Sequence, residues 1–176
     1  MYAVKEQLRP LGLINISGEQ INDHWDLYKG YVKQVNVLQE TPDIRRYGFE
    51  YNGMVLHEYY FENLTAGGAP LSKSNLKKAI EQTWGSYEQW QKAFVETGKS
   101  RGIGWAILYC NPENKQLSNH FVTEHQNGHI AGFKPILVMD VWEHAYMVDH
   151  RAGGRAAYID AFMKNINWSV VEKRFG

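Results

Sequence analysis

Residues 135–146 read PILVMDVWEHAY, and the order of apolar and polar side chains in this stretch decides how the rest of the chain is arranged. Ile136 to Met139 has the length and β-branched content of a buried strand. The run ends in Asp140, and His144 follows four residues later. A carboxylate at the tip of a buried strand is costly unless something positive meets it. A metal ion is one such partner, and an imidazole is a second ligand that a first-row metal takes. Taken alone, an Asp and a His at this spacing equally describe a helix cap and a surface histidine.

Working back towards the N-terminus, two more histidines stand in similar company. Ser17-Gly18-Glu19-Gln20 is a helix-start pattern, with Ser17 as cap and Gln20 three residues on. Ile21, His24, Leu27, Tyr28, Tyr31, Val35 and Leu38 then fall at helical spacing on one face. Thr41-Pro42-Asp43 reads as a turn in which Pro42 opens a second helix, Ile44 to Leu64. That helix carries Phe49, Met54, His57, Tyr60, Phe61 and Leu64 inward. Each histidine alone reads as a hydrogen-bonded core residue. The short turn, however, makes the helices an antiparallel pair, and His24 and His57 lie at matching depths within it.

Working on towards the C-terminus, residues 65–71 form a loop. Ser72 or Ser74 caps a short helix to about Trp84, and Gly85-Ser86 opens another through Gly98. Trp105 to Cys110, Gln116 to Thr123 and Pro135 to Met139 read as a three-stranded sheet. Residues 143–162 and 168–175 read as closing helices. The fold class is therefore α+β: a long N-terminal helical hairpin, then an α/β domain with an antiparallel sheet and flanking helices. The expected units are residues 1–66 and 67–176, with the metal site between them.

Composition narrows the function. Nineteen basic side chains balance nineteen acidic ones, so no global field favours nucleic acid or an anionic membrane. The single cysteine, Cys110, excludes an intramolecular disulfide. No apolar stretch reaches the ~20 residues of a membrane helix, and residues 1–20 lack the apolar core of a signal peptide. A cytoplasmic protein is the expectation.

DVWEHAY, followed by Tyr158-Ile159 and by Asn167-Trp168-Ser169-Val170-Val171, closely resembles the C-terminal signature of the iron/manganese superoxide dismutases. The resemblance extends over about residues 11–175. His24 with Tyr31-Val32 matches the first-helix motif, and His57 with Tyr59-Tyr60-Phe61 and Asn63-Leu64 the second. Gly102, Gly104 and Trp105 supply a Gly-x-Gly-Trp motif. The resemblance implies a superoxide dismutase that turns superoxide into dioxygen and hydrogen peroxide. It implies one iron or manganese ion per subunit, held by His24, His57, Asp140 and His144. Three neutral imidazoles and one carboxylate leave the set a single negative charge, with room for one solvent molecule. Taking up an electron together with a proton keeps the charge of such a buried site constant, which a low dielectric favours.

The same resemblance implies a Gln or His that hydrogen-bonds the solvent molecule. One of the two positions that supply it is Gly53, which has no side chain to offer. The other falls at His125 or Gln126, with His125 favoured. Tyr31 corresponds to a tyrosine at the mouth of the substrate funnel, able to relay a proton. Its spacing from the first ligand is seven residues where relatives have eight, which implies a regular helix in place of a π-type bulge. Tyr28 and Met147 stand where relatives place residues that meet across a dimer interface. Glu143, which in relatives reaches a partner's ligand histidine, implies a homodimer or homotetramer. Trp105 and Trp142 complete the surroundings of the site. Val138, bulkier than the Gly of many manganese enzymes, leans the expectation to iron, with use of either metal open. The rival readings are a different non-haem iron enzyme and a non-catalytic relative of the same fold.

Overall fold

A computed structural model of the chain describes residues 1–71 and 73–176. α1 (Gly18–Glu40) and α2 (Ile44–Glu62) form the N-terminal hairpin. Ser17 caps α1 by accepting the Gln20 backbone N–H at 3.0 Å. The Gln20 side chain does not return the favour; it reaches a different segment, described below. Asp43 caps α2 by accepting from the Arg46 backbone N–H at 3.1 Å, so Pro42 sits before the cap and outside the helix. α1 runs unbroken as α-helix through Tyr31. Seven residues are close to two whole turns, which keeps Tyr31 on the His24 side of the helix.

α3 (Asn75–Trp84) and α4 (Tyr87–Gly98) follow, capped by Ser74 and Ser86. The alternative cap Ser72 lies outside the described residues. The antiparallel sheet comprises β1 (Gly104–Cys110), β2 (Leu117–Thr123) and β3 (Lys134–Asp140) in the order β2-β1-β3. Every residue of the central strand β1 is buried, as its apolar run requires. α4 packs on β1 and β2, while α2 and α7 pack on β3. Gly104 starts β1 at φ +150, and a Cβ there would meet the Val122 carbonyl oxygen at 2.0 Å, so only glycine fits.

The closing helices differ from the expectation. The stretch 143–162 is not one helix: a 3-10 turn (Glu143–Ala145) leads to α5 (Met147–His150), and α6 (Arg155–Lys164) starts afresh. Arg151 takes positive φ, at 56°, and Gly153-Gly154 sit in the break between α5 and α6. Those features break the stretch that the sequence reading takes as a closing helix. α7 (Trp168–Phe175) ends the chain. Among the described residues no helix is long and apolar enough to cross a membrane.

Candidate metal centre

Asp140 is the last residue of β3 and pairs with Trp105 of β1, so the strand delivers its carboxylate to the end of the sheet facing the hairpin. α1 and α2 bring His24 and His57 to the same level, with ring centroids 5.0 Å apart. The 3-10 turn after β3 swings His144 back over Asp140. One carboxylate oxygen, Asp140 Oδ2, then lies 3.1 Å from His24 Nε2, 3.1 Å from His144 Nε2 and 3.6 Å from His57 Nε2. All four ligating atoms lie within 4.8 Å of one another.

Protein groups alone leave this arrangement unsatisfied. His57 Nδ1 faces the Gly53 carbonyl oxygen at 2.6 Å, and a carbonyl only accepts, so Nδ1 carries the ring proton. Burial, and then the neighbouring His24, push the His57 imidazole far below its usual range, so the ring is neutral. Its Nε2 therefore presents a bare lone pair, fully buried, with no hydrogen-bond partner, towards a carboxylate. Two electron-rich atoms facing each other in a dry interior call for a cation between them. The spacing suits one: ligand bonds of about 2.1 Å at angles of 90–120° put donor atoms about 3.0–3.6 Å apart. Nitrogen and carboxylate oxygen are donors that iron, manganese and zinc accept.

The carboxylate is held firmly. Burial alone would push the Asp140 carboxyl up, but the adjoining His144 and His24 imidazoles bring it well below the usual carboxylate range. Asp140 Oδ1 accepts the Trp142 backbone N–H at 2.8 Å. The Asp140 carbonyl accepts the Tyr158 hydroxyl at 2.7 Å. His24, His57 and Asp140 are fully buried, while the His144 side chain keeps 25% exposure. Access from solvent is therefore nearest His144.

A second layer of side chains walls the cluster. Trp105 Nε1–H donates to His125 Nδ1 at 3.0 Å, and Tyr31 Oη lies 2.7 Å from His125 Nε2. Burial depresses His125 to about 4, so the ring is neutral near pH 7. Indole N–H only donates, hence the His125 proton sits on Nε2 and points at Tyr31 Oη. Tyr31 is pushed up, by burial first and then by Asp140 and Glu50. It keeps its own proton, which is left free to donate elsewhere. Trp142 stacks between His125 and His144, with centroids at 5.0 and 5.7 Å.

Gly53 makes room for this wall. A Cβ there would meet the Tyr31 ring carbons at 2.7 Å, whereas Gly48 in the same helix has nothing within 4 Å. Gly48→Ala should therefore stabilise the protein by about 1 kcal/mol through helix propensity. Gly53→Ala should destabilise it by about 1–3 kcal/mol and displace Tyr31 from His125. Paired thermal melts check the opposite signs.

Two expected site residues lie elsewhere. Gln126 is exposed and lines a surface hollow with Asp43, Arg45, Arg46 and Phe49; one step along the loop turns it outward where His125 turns in. Tyr28 is completely buried and is not on an outer face. Its hydroxyl donates to Glu58 Oε1 at 3.0 Å and accepts the Lys5 backbone N–H at 3.2 Å. Four residues beyond His24 on an unbroken helix, it faces the hairpin core. Glu143 and Met147 are exposed. Gln20 is the participant that the cap pattern concealed. It is 1% exposed; its amide donates to the His144 carbonyl at 2.6 Å and accepts the Val148 N–H at 3.0 Å. One turn before His24, it fastens α1 to the segment that carries the fourth ligand. Its position on the His24 face was the available signal.

With this geometry in view, comparison with known proteins is specific. Residues 72–174 match the family described as iron/manganese superoxide dismutases, C-terminal domain. A protein named superoxide dismutase [Fe] from Aquifex pyrophilus is 36% identical, the match covering 97% of this chain and 89% of that protein. One of the same name from Cupriavidus metallidurans is 35% identical over 96% of this chain and 95% of its own length. A superoxide dismutase [Mn] from Haloarcula marismortui is 31% identical over 92% of this chain and 86% of its own length.

Proposed function

The chain belongs to the iron/manganese superoxide dismutase family, and on that premise we propose that it disproportionates superoxide at an iron or manganese ion held by His24, His57, Asp140 and His144. The observation that carries this reading is the bare, buried Nε2 of His57 facing Asp140 Oδ2 at 3.6 Å. When bound, the ion supplies reversible one-electron exchange, by which one superoxide leaves as dioxygen and a second, with two protons, leaves as hydrogen peroxide.

The chain's own residues bind, exclude water and handle protons. The neutral imidazoles and the single carboxylate would offset one unit of the cation's charge. Trp105, Trp142 and Phe61 keep bulk water away from the ligands. His125, fixed by Trp105, offers its Nε2 proton to Tyr31 Oη. Tyr31, protonated throughout the physiological range, turns its own O–H towards the site and delivers a proton to reduced substrate, then recovers one from solvent. Because His125 stays neutral above about 4, this polarity of hydrogen bonds holds across neutral pH. Both rivals lack support of this kind. Four protein ligands leave too few positions for an oxygenase that must bind dioxygen and an organic substrate together, and a non-catalytic relative has no need to retain them.

Iron is the metal to load first, because Val138 occupies a completely buried position where a glycine would leave more room. Relatives named for either metal match this chain, so activity with manganese is also expected. We take residues 1–66 and 67–176 as the two units, with the site between them. We take the protein as a cytoplasmic homodimer or homotetramer in which Glu143, exposed in the single chain, meets a partner subunit.

The test is dismutation without any organic substrate: metal-loaded protein should yield one hydrogen peroxide for two superoxide consumed. An inactive protein with iron or manganese at full occupancy would end the reading. In the same assay His125→Ala should keep its metal and lose about tenfold or more in rate, whereas Gln126→Ala should match the wild type. The reverse pattern would transfer the role to Gln126.

A further inference from the structure

The face of β1 that carries Trp105 also carries Tyr109, four residues on and roughly 13 Å along the strand. The loop after β2 carries two histidines with the same separation, His125 and His129. Each β1 side chain donates to the Nδ1 of one of them. Trp105 reaches His125, and the Tyr109 hydroxyl lies 2.7 Å from His129 Nδ1. His129 Nε2 then lies 3.0 Å from the backbone carbonyl oxygen of His125. A carbonyl only accepts, so His129 carries its proton on Nε2 and its Nδ1 takes the Tyr109 proton. Tyr109 is 1% exposed and burial pushes its hydroxyl up, so it remains a donor.

The loop around His125 is held in an uncommon shape. Glu124, immediately before it, takes φ 54, a region that non-glycine residues adopt at a cost. Thr123 and Asn127 bond each other's backbone, at 2.8 and 3.2 Å. Neither contact touches the His125 carbonyl, and Trp105 and Tyr31 hold only the far end of that residue, its ring. His129 supplies the contact at the backbone end, at 3.0 Å.

We propose that His129, itself fixed by Tyr109, is a positioning residue: by holding the His125 carbonyl it sets how far the His125 imidazole reaches towards Tyr31 and the metal centre. This rests on the reading of His125 given above. The ring of His129 is exposed, so truncating it removes two hydrogen bonds without opening a cavity in the core. A glutamine at this position can donate to the same carbonyl and accept from Tyr109, so it is the conservative replacement.

Iron-loaded wild type, His125→Ala, His129→Ala, His129→Gln and Tyr109→Phe are compared for metal content, kcat and KM with superoxide, and midpoint potential. His129→Ala should hold its iron, lose about tenfold in kcat and move the potential in the same direction as His125→Ala. His129→Gln should recover to within about twofold of wild type, and Tyr109→Phe should shift both readings the same way by less. If His129→Ala fails to fold, Tyr109→Phe, which keeps the buried ring, carries the same readings. A wild-type potential and kcat in His129→Ala, beside an altered His125→Ala, overturns this inference and leaves the His125 role standing. Wild-type behaviour of His125→Ala overturns both. A His129→Ala loss that tracks lost iron and is not recovered by His129→Gln overturns the positioning role.

Discussion

His57→Ala is expected to purify without metal and without dismutase activity, while still folding. The substitution takes away the one donor atom whose protonation is fixed by its surroundings: Nδ1 is committed to the Gly53 carbonyl, so Nε2 is always a lone pair ready to ligate. What remains is two histidines and a carboxylate, with a cavity that water fills. Changing an outer partner of a ligand typically costs 10–100-fold in metal affinity, so deleting a ligand should cost more than about 100-fold. Metal analysis after dialysis against a chelator is the measurement. Full occupancy and activity in His57→Ala would show that the four residues do not act as one site. The variant should also be indifferent to added iron in a thermal melt, whereas wild type gains stability with the ion as any protein does with a ligand that binds only its native state.

Much of this was legible in the chain, and the reasons differ by residue. Asp140 drew notice because a strand's apolar run stops at a charge, but Asp140 and His144 were legible as ligands only through the resemblance of DVWEHAY to the family signature. His24 and His57 needed one more step, since matching depths matter only if the helices are antiparallel, and the three-residue turn makes them so. His125 and Gln126 could not be separated by pattern, because a loop has no period. In the structure His125 is buried against Trp105 and Tyr31, whereas Gln126 is exposed. Tyr28, on the His24 face as the helical spacing predicts, packs against Glu58 and the N-terminal segment. The stretch 143–162 reads as a closing helix, but Arg151 at positive φ and Gly153-Gly154 break its backbone. Gln20 shows the opposite error, a polar side chain assigned to its own helix cap when its partners were the His144 carbonyl and the Val148 N–H, over a hundred residues away.

Arg174→Ala should be the most damaging substitution away from the metal. From α7, its guanidinium donates to Asn63 Oδ1 at 2.6 Å, to the Ile136 carbonyl at 3.2 Å and to the Tyr59 carbonyl at 3.3 Å. It also pairs with Glu62 at 2.5 Å and lies over the Tyr59 ring at 4.4 Å. Asn63 in turn donates to the Val138 carbonyl at 2.7 Å. One side chain thus ties the C-terminal end of α2, the helix of His57, to β3, the strand of Asp140. Removing it takes a charged donor from the Ile136 carbonyl and the Asn63 amide oxygen, while the Tyr59 carbonyl keeps the Asn63 backbone N–H at 3.1 Å. Breaking a largely buried charged network of this kind costs about 3 kcal/mol, which for a chain of this size lowers the melting temperature by about 6–12 °C. Arg174→Lys should recover little, because an ammonium cannot reach a fork of acceptors. Glu62→Gln should cost no more than about 1 kcal/mol, since that carboxylate is nearly half exposed and its loss strands nothing. If Arg174→Ala melts within about 2 °C of wild type, the clamp is not what joins α2 to β3. If it melts early and iron restores much of the loss, then the metal and Arg174 brace the same junction from opposite ends.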